Sequence, residues 1–237
     1  EFNRLFNAIF SNPEDCKKII RLLAKKHVGF TREEIAKETG LPFGGGLTDT
    51  LNALVESDFI QRYRPYNVSG KVSFYKLIDN FSLFWLKYVE PNTEDINFMT
   101  DNMTSNIMRV WRGVAFEEVC WQHIGQIKRA LGISGVSSSI SAWSVKGNDN
   151  KEGVQIDLLI IRNDNVVNLC EMKFAGDIYS IDKEEDAKIR NRIQTLINTL
   201  SPKQSVHLTM ITTYGVSHTM YGGRVQQQVI LDDLFLS

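Results

Sequence analysis

The sequence predicts a mixed α/β (α+β) protein built from two modules, and three observations support this prediction. Short helical patterns precede two strand patterns in residues 1–80, a densely aromatic segment follows, and helical and strand patterns alternate in residues 107–237. A helix, strands, a helix and a strand in that order indicate a central mixed sheet flanked by helices. We therefore expect modules at residues 1–80 and 107–237, joined by an aromatic helix and a linker at 81–106.

The composition of the chain argues against several classes of function. The chain has 237 residues, 43% of them hydrophobic, and a net charge of −1, so its bulk charge does not indicate a nucleic-acid partner. No apolar run reaches the ~18–20 residues of a membrane span, so we expect no membrane association. Three widely spaced cysteines predict reduced thiols and a cytoplasmic location. The glycine run at 44–46 lacks the following Lys-Ser/Thr of a phosphate-binding P-loop.

The N-terminal module has recognisable helix boundaries. Residues 15–27 carry an amphipathic pattern, and Thr31 with Glu34 forms the signature of a capping box at the start of a second helix that stops at Gly40. A third helix runs to about residue 57, and two strands follow at 59–64 and 71–77. Three helices and a β-ribbon are the layout of a winged helix-turn-helix.

Two interpretations of this module stay open. The third helix carries only two charges, Asp49 and Glu56, which would repel phosphates and disfavour base reading by this helix. The ribbon interleaves aromatic rings with Arg62, Arg64 and Lys71, which suits contact with a phosphate backbone. The alternative is a module that only packs against other parts of the protein.

The segment between the modules is aromatic and then polar. Four large rings in residues 80–89 indicate a helix between the two halves, and the polar residues 91–106 mark the boundary. A single helix is predicted over residues 107–131, with Glu117 and Glu118 in its first half.

A charged hairpin is the most informative feature of the chain. Residues 153–161 and 166–174 read as β-strands around the turn residues 163–165. Opposed residues of an antiparallel hairpin have numbers with a constant sum, so Asp157 faces Glu171, and Lys173 points to the same face. Two facing carboxylates destabilise a sheet unless a cation lies near them. Lys173 offsets one charge, and Mg²⁺, or Mn²⁺, would offset the rest and activate a water on a phosphodiester.

This constellation resembles the PD-(D/E)XK nuclease-like superfamily, whose minimum pattern is an acidic residue on one strand and Glu-x-Lys on the next. Asp157 matches the acidic position, and Glu171-Met172-Lys173 matches Glu-x-Lys. The resemblance implies a restriction-endonuclease-like domain in which Asp157, Glu171 and Glu117 bind the metal and Lys173 serves the phosphate or water. Glu117 fits the helical glutamate of the superfamily better than Glu118 does.

A second resemblance covers nearly the whole chain. The winged-helix layout, the segment 74–85, the motif at 113–117 and the charged hairpin look like the C-terminal half of archaeal/bacterial-type AAA/STAND-like ATPases. This resemblance implies a DNA-related role and an ATP-binding N-terminal domain that is missing from these residues. The first residue is not a methionine, which fits a fragment of a longer protein.

Two alternatives stay open for the C-terminal module. Its charges can form a structural salt bridge, in which case a nuclease-derived fold serves only to bind DNA or a partner. On the helix predicted at 182–200, Lys183 and Gln194 are weak candidates for nucleic-acid contact, and a solvated face with i,i+4 pairs such as Glu184–Lys188 is the other interpretation.

Overall fold

The helices and strands follow the predicted chain order, with additional elements in both units. The computed structural model describes residues 1–66, 72–95, 97–145 and 153–236. The chain forms two units, the first comprising Glu1–Arg64 and Ser69–Glu118, the second Pro65–Val68 and Val119–Ser237. The elements up to the unit boundary are α1 (Phe2–Ile9), α2 (Pro13–Leu23), β1 (Phe30–Thr31), α3 (Arg32–Thr39), α4 (Gly45–Glu56), β2 (Ile60–Tyr63), β3 (Phe74–Leu77), α5 (Asn80–Phe84), α6 (Phe98–Asn102) and α7 (Asn106–Gln122), whose last turn belongs to the second unit.

The second unit continues with a sheet and two helices. Its elements are α8 (Ile124–Ala130), β4 (Ser138–Val145), β5 (Val154–Arg162), β6 (Val166–Lys173), α9 (Lys183–Ile197), β7 (Ser205–Thr212) and β8 (Gln227–Ile230).

Local sequence signals set the helix ends of the first unit. Thr31 caps α3 by accepting a hydrogen bond from the Glu34 backbone N–H, and the Glu34 carboxylate accepts one from the Thr31 N–H, so the predicted capping box is confirmed. Gly40 ends the helix in the left-handed conformation, with φ of +72°. These caps satisfy backbone groups that the helix itself leaves unpaired.

The core of the first unit joins its helices to a small sheet. Strand order is β1-β3-β2, all antiparallel, so the short β1 and the β2–β3 ribbon form one layer. Phe2 and Phe6 lie one turn apart on α1, are buried, and pack with Phe10 and Phe59. Gly29 has φ of +75°, and a side chain there would overlap the carbonyl oxygen of Tyr75, so only glycine allows this close approach to β3.

The sheet of the second unit is mixed, as predicted. Its order is β4-β5-β6-β7-β8, with antiparallel pairing across β4, β5 and β6 and parallel pairing across β6, β7 and β8. Helix α9 packs against β5 and β7. Its buried Ile189 and Leu196 belong to one hydrophobic cluster with Leu159, Leu169 and Leu208 of the three central strands.

Two strands escape the sequence patterns because polar residues occupy their inward positions. Strand β4 lies in the serine-rich stretch, and Ser141, which faces Leu159 across the pair, is buried. Strand β8 contains Gln227, whose side-chain oxygen accepts a hydrogen bond of 2.7 Å from the buried amide of Asn168. Hydrogen bonding replaces the apolar alternation by which strands are recognised.

The predicted single helix over residues 107–131 is wrong, because it breaks at His123. Residue His123 has non-helical dihedral angles, and its ring nitrogen Nδ1 lies 2.8 Å from the carbonyl oxygen of Val119. The side chain thus takes part in satisfying a backbone group at the end of α7, and α8 begins at the next residue. Helix α9 is also shorter than predicted, ending at Ile197.

The aromatic segment lies within the first unit. Helix α5 continues into one turn of π-helix, Trp85–Val89. The rings of Phe84 and Tyr88 contact the ring of Trp111 on α7, with centroids 5.1 and 5.8 Å apart. None of the helices in the described part of the chain has the length and apolar character needed to cross a membrane.

Replacing Thr31 by alanine removes the side-chain half of the capping box. We expect Thr31→Ala to lower the free energy of unfolding by about 1 kcal/mol, since the Glu34 N–H loses its acceptor. Urea denaturation followed by circular dichroism measures the change. Thr50→Ala is the matched control, because the Thr50 hydroxyl only donates back to Gly46 within α4. Equal stability of Thr31→Ala and wild type would contradict the role of the cap.

Candidate functional site

The register of the central hairpin is the one that the sequence predicts. Strands β5 and β6 pair Leu158 with Cys170 and Ile161 with Val167, so opposed residue numbers sum to 328. The turn lies at 163–165, with Asn165 in the left-handed conformation. This pairing ends at Leu158 and Cys170, and β5 shifts register against β4 between its pairs Leu159–Ser141 and Ile156–Trp143, so Asp157 lies at a β-bulge. The charge of Asp157 still acts on Glu171, and strand alternation puts Lys173 on the same face as Glu171.

Glu171 is the buried carboxylate of this face. It is 7% exposed, and its Oε2 accepts a hydrogen bond of 3.2 Å from Arg192 Nη1 while Lys173 Nζ lies 4.0 Å away. Burial raises the pKa of Glu171 to about 7, and the charges of Asp157 and Glu185 act in the same direction, against the opposing effect of Arg192 and Lys173. The two cations therefore compensate the buried carboxylate only in part.

Lys173 is a charged amine rather than a proton acceptor. Its Nζ lies 2.9 Å from Glu185 Oε1, and its side chain is 29% exposed. Burial favours the neutral amine, but the hydrogen bond with Glu185 and the charges of Glu171 and Glu185 outweigh burial and raise the pKa of Lys173. The amine thus stays protonated near neutral pH and can neutralise an anion.

Asp157 is half-buried and is held by its own strand. The side-chain amide of Gln155 donates a hydrogen bond of 2.6 Å to Asp157 Oδ1. The backbone carbonyl of Gln155 in turn accepts a hydrogen bond of 3.1 Å from Arg192 Nε. Arg192 therefore links the start of β5 to the carboxylate of Glu171 on β6.

Two of the site residues, Glu185 and Arg192, are not among the sequence-predicted candidates. They lie seven residues apart on α9, which is two helical turns, so both project from the face that carries the buried Ile189 and Leu196. Periodicity relative to these apolar residues is the signal that could have identified them.

The structure places the weaker candidates elsewhere. Lys183 and Gln194 are exposed on α9, and the Gln194 amide donates to Asn198 along the same helix. The predicted Glu184–Lys188 pair is present at 2.6 Å. Arg62 and Arg64 are exposed at the ribbon of the first unit, and Lys71 lies outside the described residues.

Glu117 and Glu118 form a separate charge cluster in the first unit. Glu118 is fully buried, 3.0 Å from Lys76 Nζ, and its pKa is raised by burial despite the nearby cations. His27 lies between the two glutamates, with Nε2 3.0 Å from Glu117 and Nδ1 3.3 Å from Glu118. The hydrogen bond with Glu117 is the main cause that raises the pKa of His27, so the charged imidazolium fits this position.

The donor set for a metal consists of two carboxylates. Within residues 1–66, 72–95, 97–145 and 153–236, no group of three or more His, Cys, Asp or Glu side chains is arranged to hold a metal ion. Asp157 and Glu171 nevertheless suit Mg²⁺ or Mn²⁺, because Mg²⁺ commonly takes one or two carboxylates and completes its coordination with water and phosphate oxygens. The partly uncompensated charge of Glu171 also favours a cation.

A cavity adjoins these residues. It has a volume of about 540 Å³ and is lined by α9 and the beginning of β5, including Gln155, Lys188, Asn191 and Arg192. Gln155 donates to Asp157 and Arg192 donates to Glu171, and both residues also line this open space.

The raised pKa of Glu171 makes stability depend on pH. Protonated Glu171 is favoured in the folded state, so its contribution to stability is fully present below pH 4.5 and is lost as the pH rises through about 7. A pKa rise from 4.5 to about 7 corresponds to roughly 3 kcal/mol. We expect Glu171→Gln to match wild type near pH 4.5 and to exceed its stability by up to that amount at pH 8.

Denaturant titrations between pH 4.5 and 8 measure this difference. Glu184→Gln is the control, because Glu184 is on α9 with an exposed carboxylate, and its profile should run parallel to that of wild type. Parallel profiles of Glu171→Gln and wild type would show that Glu171 is not buried in the way described.

Removing Lys76 leaves the buried Glu118 without its nearest cation. We expect Lys76→Met to lower the free energy of unfolding by about 3 kcal/mol or more, because an uncompensated buried charge is costly. The double variant Lys76→Met/Glu118→Gln should recover part of this loss. Lys188→Met, which breaks an exposed pair, should change the stability by less than about 1 kcal/mol. A loss no larger for Lys76→Met than for Lys188→Met would contradict the buried pair.

Comparison with known proteins identifies a relative but no family. No protein-family profile matches the chain. The chain is 27% identical over 170 residues to MJECL04, an uncharacterized protein of Methanocaldococcus jannaschii. The similarity covers 70% of this chain and 36% of that protein, so the chain spans little more than a third of its relative's length. The relative's name assigns no activity, and the function is therefore inferred from the site.

Proposed function

We propose that the second unit is a PD-(D/E)XK nuclease-like domain that hydrolyses phosphodiester bonds of DNA with Mg²⁺ or Mn²⁺. The observation that carries this proposal is the cluster around Glu171, where the charge of Asp157 acts on the buried carboxylate and Lys173 Nζ lies 4.0 Å from it. A buried carboxylate with pKa raised to about 7, beside a second carboxylate and a charged lysine, is the kind of perturbed group typical of functional sites.

The order of elements supports the same proposal. Helix α7, the antiparallel strands β4, β5 and β6, helix α9 and the parallel strand β7 follow each other along the chain. This is an arrangement of helix, strands, helix and strand around a mixed sheet, with the charged residues on its central strands. The architecture is consistent with a restriction-endonuclease-like domain.

Each residue has a defined part in the proposed reaction. Asp157 and Glu171 would hold the metal, which would supply Lewis-acid chemistry by polarising the phosphodiester and lowering the pKa of an attacking water. The protonated amine of Lys173 neutralises charge on the phosphate as it develops in the transition state. Glu117, which the resemblance implies as a third carboxylate, contacts His27 within the first unit, and the proposed reaction assigns it no step.

The first unit is proposed to be a winged helix-turn-helix. Its chain order and the strand order β1-β3-β2 support this assignment, and the exposed Arg62 and Arg64 on the ribbon are suited to contact a phosphate backbone. We also propose that both units accompany an N-terminal P-loop ATPase domain in a longer protein. The greater length of the archaeal relative is compatible with such a domain.

One observation favours a second candidate function. Glu171 and Lys173 already have counter-ions, Arg192 and Glu185, within the protein. A nuclease-derived fold that has lost catalysis and only binds DNA or a protein partner would keep such ion pairs for stability. In that case the ATPase domain supplies the chemistry.

Metal binding and DNA cleavage test the proposal directly. We expect calorimetry to detect Mn²⁺ or Mg²⁺ binding by wild type and its loss in Asp157→Asn and Glu171→Gln. Lys173→Met should keep the metal but reduce cleavage of duplex DNA by about 100-fold or more, since the transition-state charge is then unbalanced.

The control for these measurements is Lys203→Met, which removes an exposed lysine of the second unit that does not line the cavity and should leave both readouts unchanged. DNA binding by wild type without metal binding or cleavage would support the non-catalytic module instead. Failure to bind metal even with DNA present would reject the hydrolytic proposal.

A further inference from the structure

Arg192 and the proposed metal would compete for the same carboxylate oxygen of Glu171. Its Nη1 donates to Glu171 Oε2 at 3.2 Å, and its Nε donates to the Gln155 carbonyl at 3.1 Å. A Mg²⁺ ion binds carboxylate oxygens at roughly 2.1 Å. An ion on this oxygen would therefore lie next to the guanidinium, and the two positive charges would repel each other.

The side chain of Arg192 lies beside open space into which it can move. Its side chain is 24% exposed, and it lines the cavity of about 540 Å³ together with Gln155, Lys188 and Asn191. Glu184 lines the same cavity and pairs with Lys188 at 2.6 Å, so the groups of this wall that can donate to an anion are the Arg192 guanidinium and the two amide side chains. The guanidinium has five N–H donors in a fork that matches the oxygens of a phosphate.

We propose that Arg192 is a positioning residue that couples metal binding to the arrival of the phosphodiester. Without substrate, Arg192 is the counter-ion of Glu171 and competes with the metal for this carboxylate. When a phosphodiester enters the cavity, Arg192 moves to its oxygens and leaves Glu171 to the metal. Metal and phosphodiester therefore bind cooperatively, and the inference rests on the proposed metal-dependent function.

Calorimetry with Mn²⁺ alone provides the first test. We expect Arg192→Gln to bind Mn²⁺ about tenfold more tightly than wild type, because the competing cation is gone. Arg192→Lys, which keeps a charge but lacks the fork, should lie between the two. Arg190→Gln is the matched control, since Arg190 is on the same helix but pairs with Asp186, and its Mn²⁺ affinity should equal that of wild type.

The second test repeats the titration with a thymidine dinucleotide that carries one phosphodiester. Wild type should bind Mn²⁺ at least fivefold more tightly in its presence, and Arg192→Gln should lose this coupling. Thermal unfolding of each variant establishes that it is folded. A purely structural arginine would not raise the metal affinity when it is removed, so the direction of the change is diagnostic.

The outcomes separate this inference from the function on which it rests. Mn²⁺ binding by wild type that is unchanged or weaker in a folded Arg192→Gln would overturn the role of Arg192 and leave the metal site in place. Absence of Mn²⁺ binding in both proteins, with and without the dinucleotide, would overturn the metal site and this inference together.

Discussion

The cost of burying Glu171 beside another carboxylate is the constraint on which the second unit depends. Asp157 and Glu171 directly follow the last pair of the hairpin, Leu158–Cys170, and Glu171 lies two residues after Leu169 of the apolar cluster on the same strand. An ion removed from water in such a place costs several kcal/mol unless a partner compensates it. Arg192 and Lys173 offset part of this cost. Because the rest is not offset, the pKa of Glu171 rises to about 7.

Helix α9 supplies most of what surrounds this pair. Its apolar residues Ile189 and Leu196 fix which face meets the sheet, and the same face then delivers Arg192 to Glu171 and Glu185 to Lys173. Packing and electrostatics are therefore coupled, because a rotation of the helix that exposed Ile189 would also remove both counter-ions. This arrangement keeps one edge open at the cavity.

The first unit uses a similar solution for a different residue. Glu118 is fully buried, and its partners Lys76 and His27 come from β3 and from the segment after α2. The close approach at Gly29, two residues after His27, brings that segment onto β3. This cluster ties α7 to the smaller sheet, so Glu118 serves the packing of the first unit, while its neighbour Glu117 is more exposed.

Local rules made several features predictable from the sequence, namely the hairpin register, the capping box at Thr31 and the mixed sheet. A three-residue turn fixes which residues oppose each other, and a cap needs only its own four residues, so distant parts of the chain do not affect either one.

The broken helix at His123 and the polar strands β4 and β8 depend on hydrogen bonds that a hydrophobic pattern does not report. The sequence by itself thus determined the hairpin register, which brings Asp157 near Glu171, and the strand alternation that puts Lys173 beside Glu171. Only the tertiary structure decided that Arg192 and Glu185 complete that face and that Glu117 contacts His27, because side chains far apart in the chain meet only when helices pack.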